Sequence, residues 1–244
     1  MKVIATVEAR MTSSRLPGKV LLQAAGKPML EHLINRLRNV PSLDGIVLAT
    51  TINKTDDQLE EFSKSMGISC YRGSENDVMT RVIGAAELAS ADVVVEITGD
   101  CPIIDPQIVE QTIRVFNANH ADYVSNAHIR TYPDGMDTQV FLLETLKRSA
   151  AMTDDSLDHE HVTLHIRKHP ELFSHVHLVA PPESHWPHLG LTLDEAKDYE
   201  LLKKIIEYFE PTNPLFSCRE VIQLLKQMPN WVAINQAVVR KGDT

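Results

Sequence analysis

A ten-residue stretch near the start of the chain, Arg10-Met11-Thr12-Ser13-Ser14-Arg15-Leu16-Pro17-Gly18-Lys19, combines two arginines, a lysine, three hydroxyls and a Pro-Gly turn. These are phosphate-binding groups. Arg15 and Lys19 stand four residues apart across the turn, so both side chains can reach one polyphosphate. Thr12, Ser13, Ser14 and the backbone N–H groups add neutral donors. Immediately before the loop, Val3-Ile4-Ala5-Thr6-Val7 is short, apolar and rich in β-branched residues, which predicts a buried strand whose C-terminal end opens into it. Open α/β sheets take their ligands at that edge. A merely solvated basic loop would account for the charges, but not for the Ser-Ser, the Pro-Gly and the two-sided spacing together. Two commoner phosphate loops are excluded. A Walker A loop would need glycine at position 13 and Ser or Thr after Lys19, where the chain has Ser13 and Val20. A dinucleotide fingerprint would need three spaced glycines, and Gly18 stands alone.

Two aspartates complete a possible phosphate centre. Asp100, in Thr98-Gly99-Asp100-Cys101-Pro102, and Asp194, in Leu191-Thr192-Leu193-Asp194, both sit at the ends of expected strands. As a pair they suit Mg²⁺, which takes one or two carboxylates together with phosphate oxygens and waters. Asp194 also precedes a helical pattern, where an ordinary N-cap would be an aspartate, and Asp100 could be a turn residue. Eleven histidines invite a zinc hypothesis, but His159-Glu160-His161 lacks the His-Glu-x-x-His spacing. His165 and His169 lie four apart with no carboxylate completing a triad, so the histidines are expected to be solvated or at an interface.

The elements that must position these groups alternate. Met29, Leu30, Leu33, Ile34 and Leu37 recur at helical spacing after Pro28. Ile46 to Thr50 reads as a strand, Thr55-Asp56-Asp57 caps a helix to about Gly67, and Ser69 to Arg72 is a short strand. Asp77 to Leu88 is helical, Asp92 to Thr98 a central strand, and Pro106 to Asn119 a further helix. This alternation predicts an α/β fold with a mostly parallel, doubly wound sheet and helices on both faces. From about 122 to 190 the pattern breaks into what reads as an inserted arm within a single domain spanning residues 1–244. Leu189 to Leu193 then returns as a strand, Asp194 opens a helix to about Phe209, and a last helix runs from about Cys218 to Met228.

Composition narrows the function. Of 244 residues, 24 are basic and 33 acidic, a formal charge of −9 that disfavours nucleic acid as a partner but leaves room for a local anion pocket. No secretory signal and no apolar run of membrane-spanning length is visible, so a soluble cytoplasmic protein with no membrane partner is expected. Cys70, Cys101 and Cys218 are odd in number and widely spaced, as in a reducing compartment, and no Cys-x-x-Cys pair exists.

The loop, Gly26-Lys27-Pro28-Met29-Leu30, Thr98-Gly99-Asp100-Cys101-Pro102, Tyr132-Pro133-Asp134-Gly135, Glu160-His161-Val162-Thr163 and Leu191-Thr192-Leu193-Asp194 together resemble the sugar cytidylyltransferases. The branch most resembled is the spore-coat-polysaccharide type, related to the acylneuraminate and 3-deoxy-manno-octulosonate cytidylyltransferases. The resemblance runs in order from residue 2 to about 205. It implies a Rossmann-like nucleotidyltransferase fold, a homodimer, and transfer of CMP from CTP to a sugar, typically a sugar acid in this family, with Mg²⁺ and release of diphosphate. Carried over by motif, Arg10, Ser14, Arg15 and Lys19 would bind the triphosphate, with Lys19, Arg15 and Arg10 stabilising charge in the reaction. Asp100 and Asp194 would hold the metal, and Arg72, Ser74 and Asp77 would form the base pocket.

The acceptor side departs from the family pattern. Related sequences often have Gln where this chain has Glu8, Arg where it has Glu96, and Glu where it has Gln139. Glu8 and Glu96 are expected to follow neighbouring strands and to flank an acceptor bearing an amino group or a second cation. Alternatively, Glu96 pairs with Arg10 or Arg81 and only orients the loop. Asp134, Gln139 and His161 complete the implied sugar contacts. The arm is long and apolar, with Tyr123, Val124, Val140, Phe141, Leu142, Leu172 and Phe173, and is expected to supply the dimer contact. Rival readings are a uridylyl- or thymidylyltransferase acting on a sugar phosphate, a glycosyltransferase, and a noncatalytic nucleotide-binding protein. A glycosyltransferase would usually carry Asp-x-Asp after the fourth strand, where none occurs.

Overall fold

Apolar side chains alternate along the first strand, β1 (Val3–Glu8), and this alternation builds two cores. In the computed structural model, which describes residues 1–240, Val3, Ala5 and Val7 enter one core and Ile4 the other. The last four residues of the expected domain lie outside the described residues. A two-residue ribbon, β2 (Gln23–Ala24) with β3 (Lys27–Pro28), follows the loop and leads into α1 (Met29–Leu37). Next come β4 (Gly45–Thr51), α2 (Asp57–Met66), β5 (Ser69–Gly73), α3 (Val78–Leu88), β6 (Val93–Thr98) and α4 (Pro106–Ala118). The chain continues through β7 (Tyr123–Ser125), β8 (Gln139–Leu142), α5 (Leu143–Ala150), α6 (Ser156–Glu160), α7 (Leu164–Lys168) and β9 (His175–His177). It closes with α8 (Ala196–Phe209), α9 (Cys218–Gln227) and α10 (Pro229–Asn235).

The main sheet has seven strands in the order β5-β4-β1-β6-β8-β7-β9. Every pairing is parallel except the two made by β8, which runs against β6 and β7. The result is a mostly parallel, mixed sheet. Residues of α1, α2 and α4 cover one face and residues of α3, α5 and α7 the other, as the period-two burial of the strands requires. A third cluster joins α8 and α9 to Ile103, Tyr132, Met136 and the leucines from Leu189 to Leu193. Among the described residues, no helix is long and apolar enough to cross a membrane.

The structure corrects several sequence expectations. Leu189 to Leu193 makes only an isolated bridge, Asp134 to Gly190, because it crosses between two turns rather than along a strand edge. Its backbone bonds are shared out, Leu191 N to Asp134 O at 2.8 Å and Leu193 N to Asp100 O at 2.8 Å. The arm does not stand apart, since its strands extend the main sheet. Of the arm's apolar residues, Tyr123, Val124, Val140, Phe141 and Phe173 are at most 1% exposed and pack into the chain's own core, whereas Leu142 is half-buried and Leu172 exposed. Asp56 precedes α2 but makes no side-chain cap. Its carboxylate instead accepts from Thr50 and Thr51 and, at 2.8 Å, from the N–H of Met11, pinning the phosphate-type loop to the end of β4.

Candidate active site

The loop leaves β1 and turns back at Gly18, whose φ of 71° is the left-handed conformation that glycine adopts without strain. This turn puts Lys19 at the start of a buried single-turn helix, 9% exposed, with its ammonium aimed inward. Lys19 Nζ lies 2.9 Å from Asp100 Oδ2 and 3.1 Å from Asp194 Oδ1. Arg15 Nη2 reaches the same Asp194 oxygen at 2.8 Å. The convergence of Arg15 and Lys19, and the pairing of Asp100 with Asp194, are therefore realised around one ammonium. Burial pushes the Asp100 carboxyl up, but the adjacent Lys19 outweighs it and holds the group below the usual carboxylate range. Asp100 is thus charged at neutral pH.

Asp194 does not cap α8. Glu195 is the N-cap, in a reciprocal box with Asp198, and this leaves the Asp194 side chain free for the two cations. Asp198, wholly buried, accepts the backbone N–H groups of Asp194 at 3.2 Å and Glu195 at 2.9 Å. The Asp194/Asp198 spacing of one helical turn is the signal that reveals this support. Asp134 joins from the side, with Thr192 Oγ1 lying 3.3 Å from both Asp134 Oδ2 and Asp194 Oδ2. Arg130 holds Asp137 at 2.7 Å and Asp134 at 3.4 Å, and burial pushes the Asp137 carboxyl up to about 6.

Other expected residues lie further round. Arg10 pairs with Glu75 at 3.2 Å, and Glu75 also accepts from Thr12 and Asn53 at 2.7 Å. Ser14 is exposed on the loop. The Arg72 guanidinium donates to Asp57, Glu60 and the carbonyls of Thr51 and Asn53. Ser74 Oγ accepts from Asp77 N, while Asp77 caps α3 through Thr80 N at 2.9 Å and pairs with His159 at 2.9 Å. His161 is exposed at the end of α6.

Glu8 and Glu96 do come together, with one correction. Glu96 is inside β6, directly opposite Thr6, whereas Glu8 ends β1 opposite Thr98. Both carboxyls therefore leave one face of adjacent strands, two register positions apart. Gln139, opposite Glu96 on β8, donates to Glu96 and accepts from Tyr123 and, at 2.7 Å, from Thr163. The alternative partners are otherwise engaged, Arg10 by Glu75 and Arg81 Nη1 by the carbonyl of Ser74. Burial raises the Glu8 carboxyl well above its ordinary value, and the Glu96 charge adds to this against the pull of Arg81. Burial likewise pushes Glu96 up to about 7, opposed by Arg167. Glu8 Oε2 is buried with no hydrogen-bond partner.

This pair should make stability depend on pH. Carboxyls raised on folding stabilise the native state below the unfolded value near 4.3, and that contribution is lost as pH rises through about 7. The expected loss is on the order of 1 kcal/mol per pH unit across that window. Thermal melts from pH 5 to 8 should show it for wild type and a much flatter profile for Glu8→Gln/Glu96→Gln; parallel profiles would show that the pair is not protonated.

Three of the histidines pack on one another. His128 stacks on His177 at 4.9 Å, and His175 meets both edge-on. Among the described residues, no group of three or more His, Cys, Asp or Glu side chains is arranged to hold a metal. Asp100 and Asp194 remain as a two-carboxylate set that already converges on one cationic centre, and this hard-oxygen pair fits a Mg²⁺ that takes its other ligands from phosphate and water.

A cationic loop after β1, facing Asp100 just past the adjacent parallel strand β6 and Asp194 on the segment bonded to Asp100, sits on an α/β nucleotidyltransferase fold. The chain belongs to the cytidylyltransferase family, whose model matches residues 4–229. It is 34% identical over 235 residues to the spore coat polysaccharide biosynthesis protein SpsF of Bacillus subtilis, covering 93% of this chain and 95% of that one. Over 124 residues, half of each chain, it is 36% identical to the 8-amino-3,8-dideoxy-manno-octulosonate cytidylyltransferase of Shewanella frigidimarina. The solved cytidylyltransferase of Leptospira borgpetersenii superposes with a TM-score of 0.91 at 32% identity, covering 98% of this chain and all of that one.

Proposed function

We propose that the chain transfers CMP from CTP to a hydroxyl of a sugar acid and releases diphosphate, in the making of a surface polysaccharide or glycoconjugate. The observation that carries this reading is the Lys19 ammonium seated between Asp100 and Asp194, with Arg15 on the same Asp194 oxygen. The acceptor oxygen attacks the α-phosphorus and loses its proton to solvent water, and the bond from that phosphorus to the bridging oxygen breaks as diphosphate leaves. Lys19 and Arg15 orient the triphosphate and take up charge on the leaving oxygens, so positioning and electrostatics carry the reaction without a covalent enzyme intermediate. Asp100 and Asp194 would hold Mg²⁺, which would neutralise further phosphate charge.

The acceptor is an amino-bearing sugar acid. Its ammonium would meet Glu8 and Glu96, since two buried carboxyls are tolerated together when a proton or cation is shared between them. The named activity of the Shewanella relative supports this choice. Diphosphate release should therefore be fastest with CTP among the four nucleoside triphosphates, and faster with an amino sugar acid than with its hydroxyl analogue. Glu96→Arg should invert that ranking. A preference for UTP with a sugar 1-phosphate would reject the reaction, and an unchanged ranking in Glu96→Arg would remove Glu96 from acceptor choice.

A further inference from the structure

We infer that Arg240 is a positioning residue of the phosphate site, delivered by the segment after α10 into a slot that Gly190 keeps open. The inference rests on the reaction proposed above. Arg240 lies in an irregular segment after α10, yet its side chain is only 11% exposed. Its Nη2 lies 2.9 Å from Oδ1 of Asp198, which is itself 0% exposed, and its Nε lies 3.3 Å from Asp134 Oδ2. Asn235 Nδ2 shares Asp198 Oδ1 at 2.7 Å.

The significance lies in what Asp198 holds. Its other oxygen accepts the backbone N–H groups of Asp194 and Glu195, so Asp198 sets the main chain from which the Asp194 carboxylate projects toward Lys19 and Arg15. Asp134 touches the same carboxylate through Thr192. One guanidinium thus neutralises the two acids standing behind Asp194. Without it, a wholly buried Asp198 charge would keep only neutral donors, and its hold on Asp194 would loosen. Outer partners of this kind typically cost about 10- to 100-fold in activity or metal affinity when removed.

Two further contacts show that the seat is specific. A Cβ at Gly190 would lie 1.5 Å from Arg240 Nη2 and 1.9 Å from Cζ, so any other residue there would expel the guanidinium. Arg15 Nη1 also donates to the carbonyl of Val239 at 3.0 Å. The arginine expected to grip phosphate therefore also tethers the segment that delivers Arg240, and the two sites share one group.

The test compares full-length Arg240→Ala, Gly190→Ala and the double variant with wild type. Arg240→Ala should lower kcat for diphosphate release about 10- to 100-fold with little change in KM for CTP. Gly190→Ala, which deletes nothing and fills the slot, should reproduce that loss, and the double variant should lose nothing more. Guanidinium chloride at millimolar concentration should restore part of the kcat of Arg240→Ala but not of Gly190→Ala. Near-wild-type kcat in Arg240→Ala, additive losses in the double variant, or a lowered melting temperature without a guanidinium-reversible kcat loss would each overturn the assignment. Calorimetric titration of the same four proteins with Mg²⁺ in the presence of CTP, without acceptor, supplies the same cycle apart from turnover, because Arg240→Ala and Gly190→Ala should each weaken Mg²⁺ by the same factor of about 10 to 100. If wild type transfers CMP to no acceptor, the proposed reaction fails while this cycle still decides whether Arg240 and Gly190 act as one unit at the nucleotide site.

Discussion

Alanine at Lys19 should reduce diphosphate release by about 10²- to 10³-fold, the loss typical of removing one preorganised charge or donor from a developing oxyanion. No other cation can replace it, because Arg15 approaches Asp194 alone whereas the Lys19 ammonium bridges Asp194 and Asp100. The sequence suggests that this substitution leaves the fold untouched; the structure adds a stability cost. Lys19 is 9% exposed, and its removal leaves Asp100 without the charge that holds its carboxyl low. A cost of about 1–3 kcal/mol follows from stranding a hydrogen-bonded charge. The sign with pH is also set. A carboxyl lowered on folding stabilises the native state above its unfolded value near 3.9 and loses that contribution as pH falls. Lys19→Ala should therefore lose less stability than wild type on acidification below about pH 4. Circular dichroism melts establish that the variant is folded, and a folded variant with near-normal turnover would remove the loop from the reaction.

Asparagine at Asp194 should lower turnover about a hundredfold or more while leaving the melting temperature close to wild type. The two halves of this expectation have separate causes. The helix cap belongs to Glu195 and Asp198, so α8 keeps its first turn. The lost charge is the one shared by Lys19, Arg15 and, as proposed, Mg²⁺, whose stabilisation of phosphate charge is worth several kcal/mol at about 1.4 kcal/mol per tenfold in rate. The Mg²⁺ concentration giving half-maximal rate should rise with it. A fall in stability with unchanged Mg²⁺ response would show that Asp194 acts through the helix start after all.

Much of the site is legible in the chain because it is local. The loop after β1 announces phosphate-binding groups through residue types within ten positions, and the strand before it through a short apolar run rich in β-branched residues. Asp100 and Asp194 are recognisable because both end apolar runs, and Glu8 with Glu96 because both depart from the family pattern at neighbouring strands. The capping role of Asp194 is misread for an equally local reason. Asp, Glu and Asp occur within five residues, at 194, 195 and 198, and only the backbone at Glu195, with φ −130°, shows where the helix begins.

By itself, then, the sequence determined the α/β alternation, the apolar strands β1, β4 and β6, and the cations and hydroxyls that the loop after β1 carries, since each is written in short runs of the chain. Tertiary structure alone decided that β8 enters between β6 and β7 in reverse and that Tyr123, Val124, Val140, Phe141 and Phe173 of the arm pack into the chain's own core. It alone placed Glu8 and Glu96 on one ladder face, and Arg240 behind Asp194. Each of these depends on which strand edges and chain segments meet across long sequence separations, and a pairing of that kind is set by the packing of the whole molecule, not by any pattern within a segment.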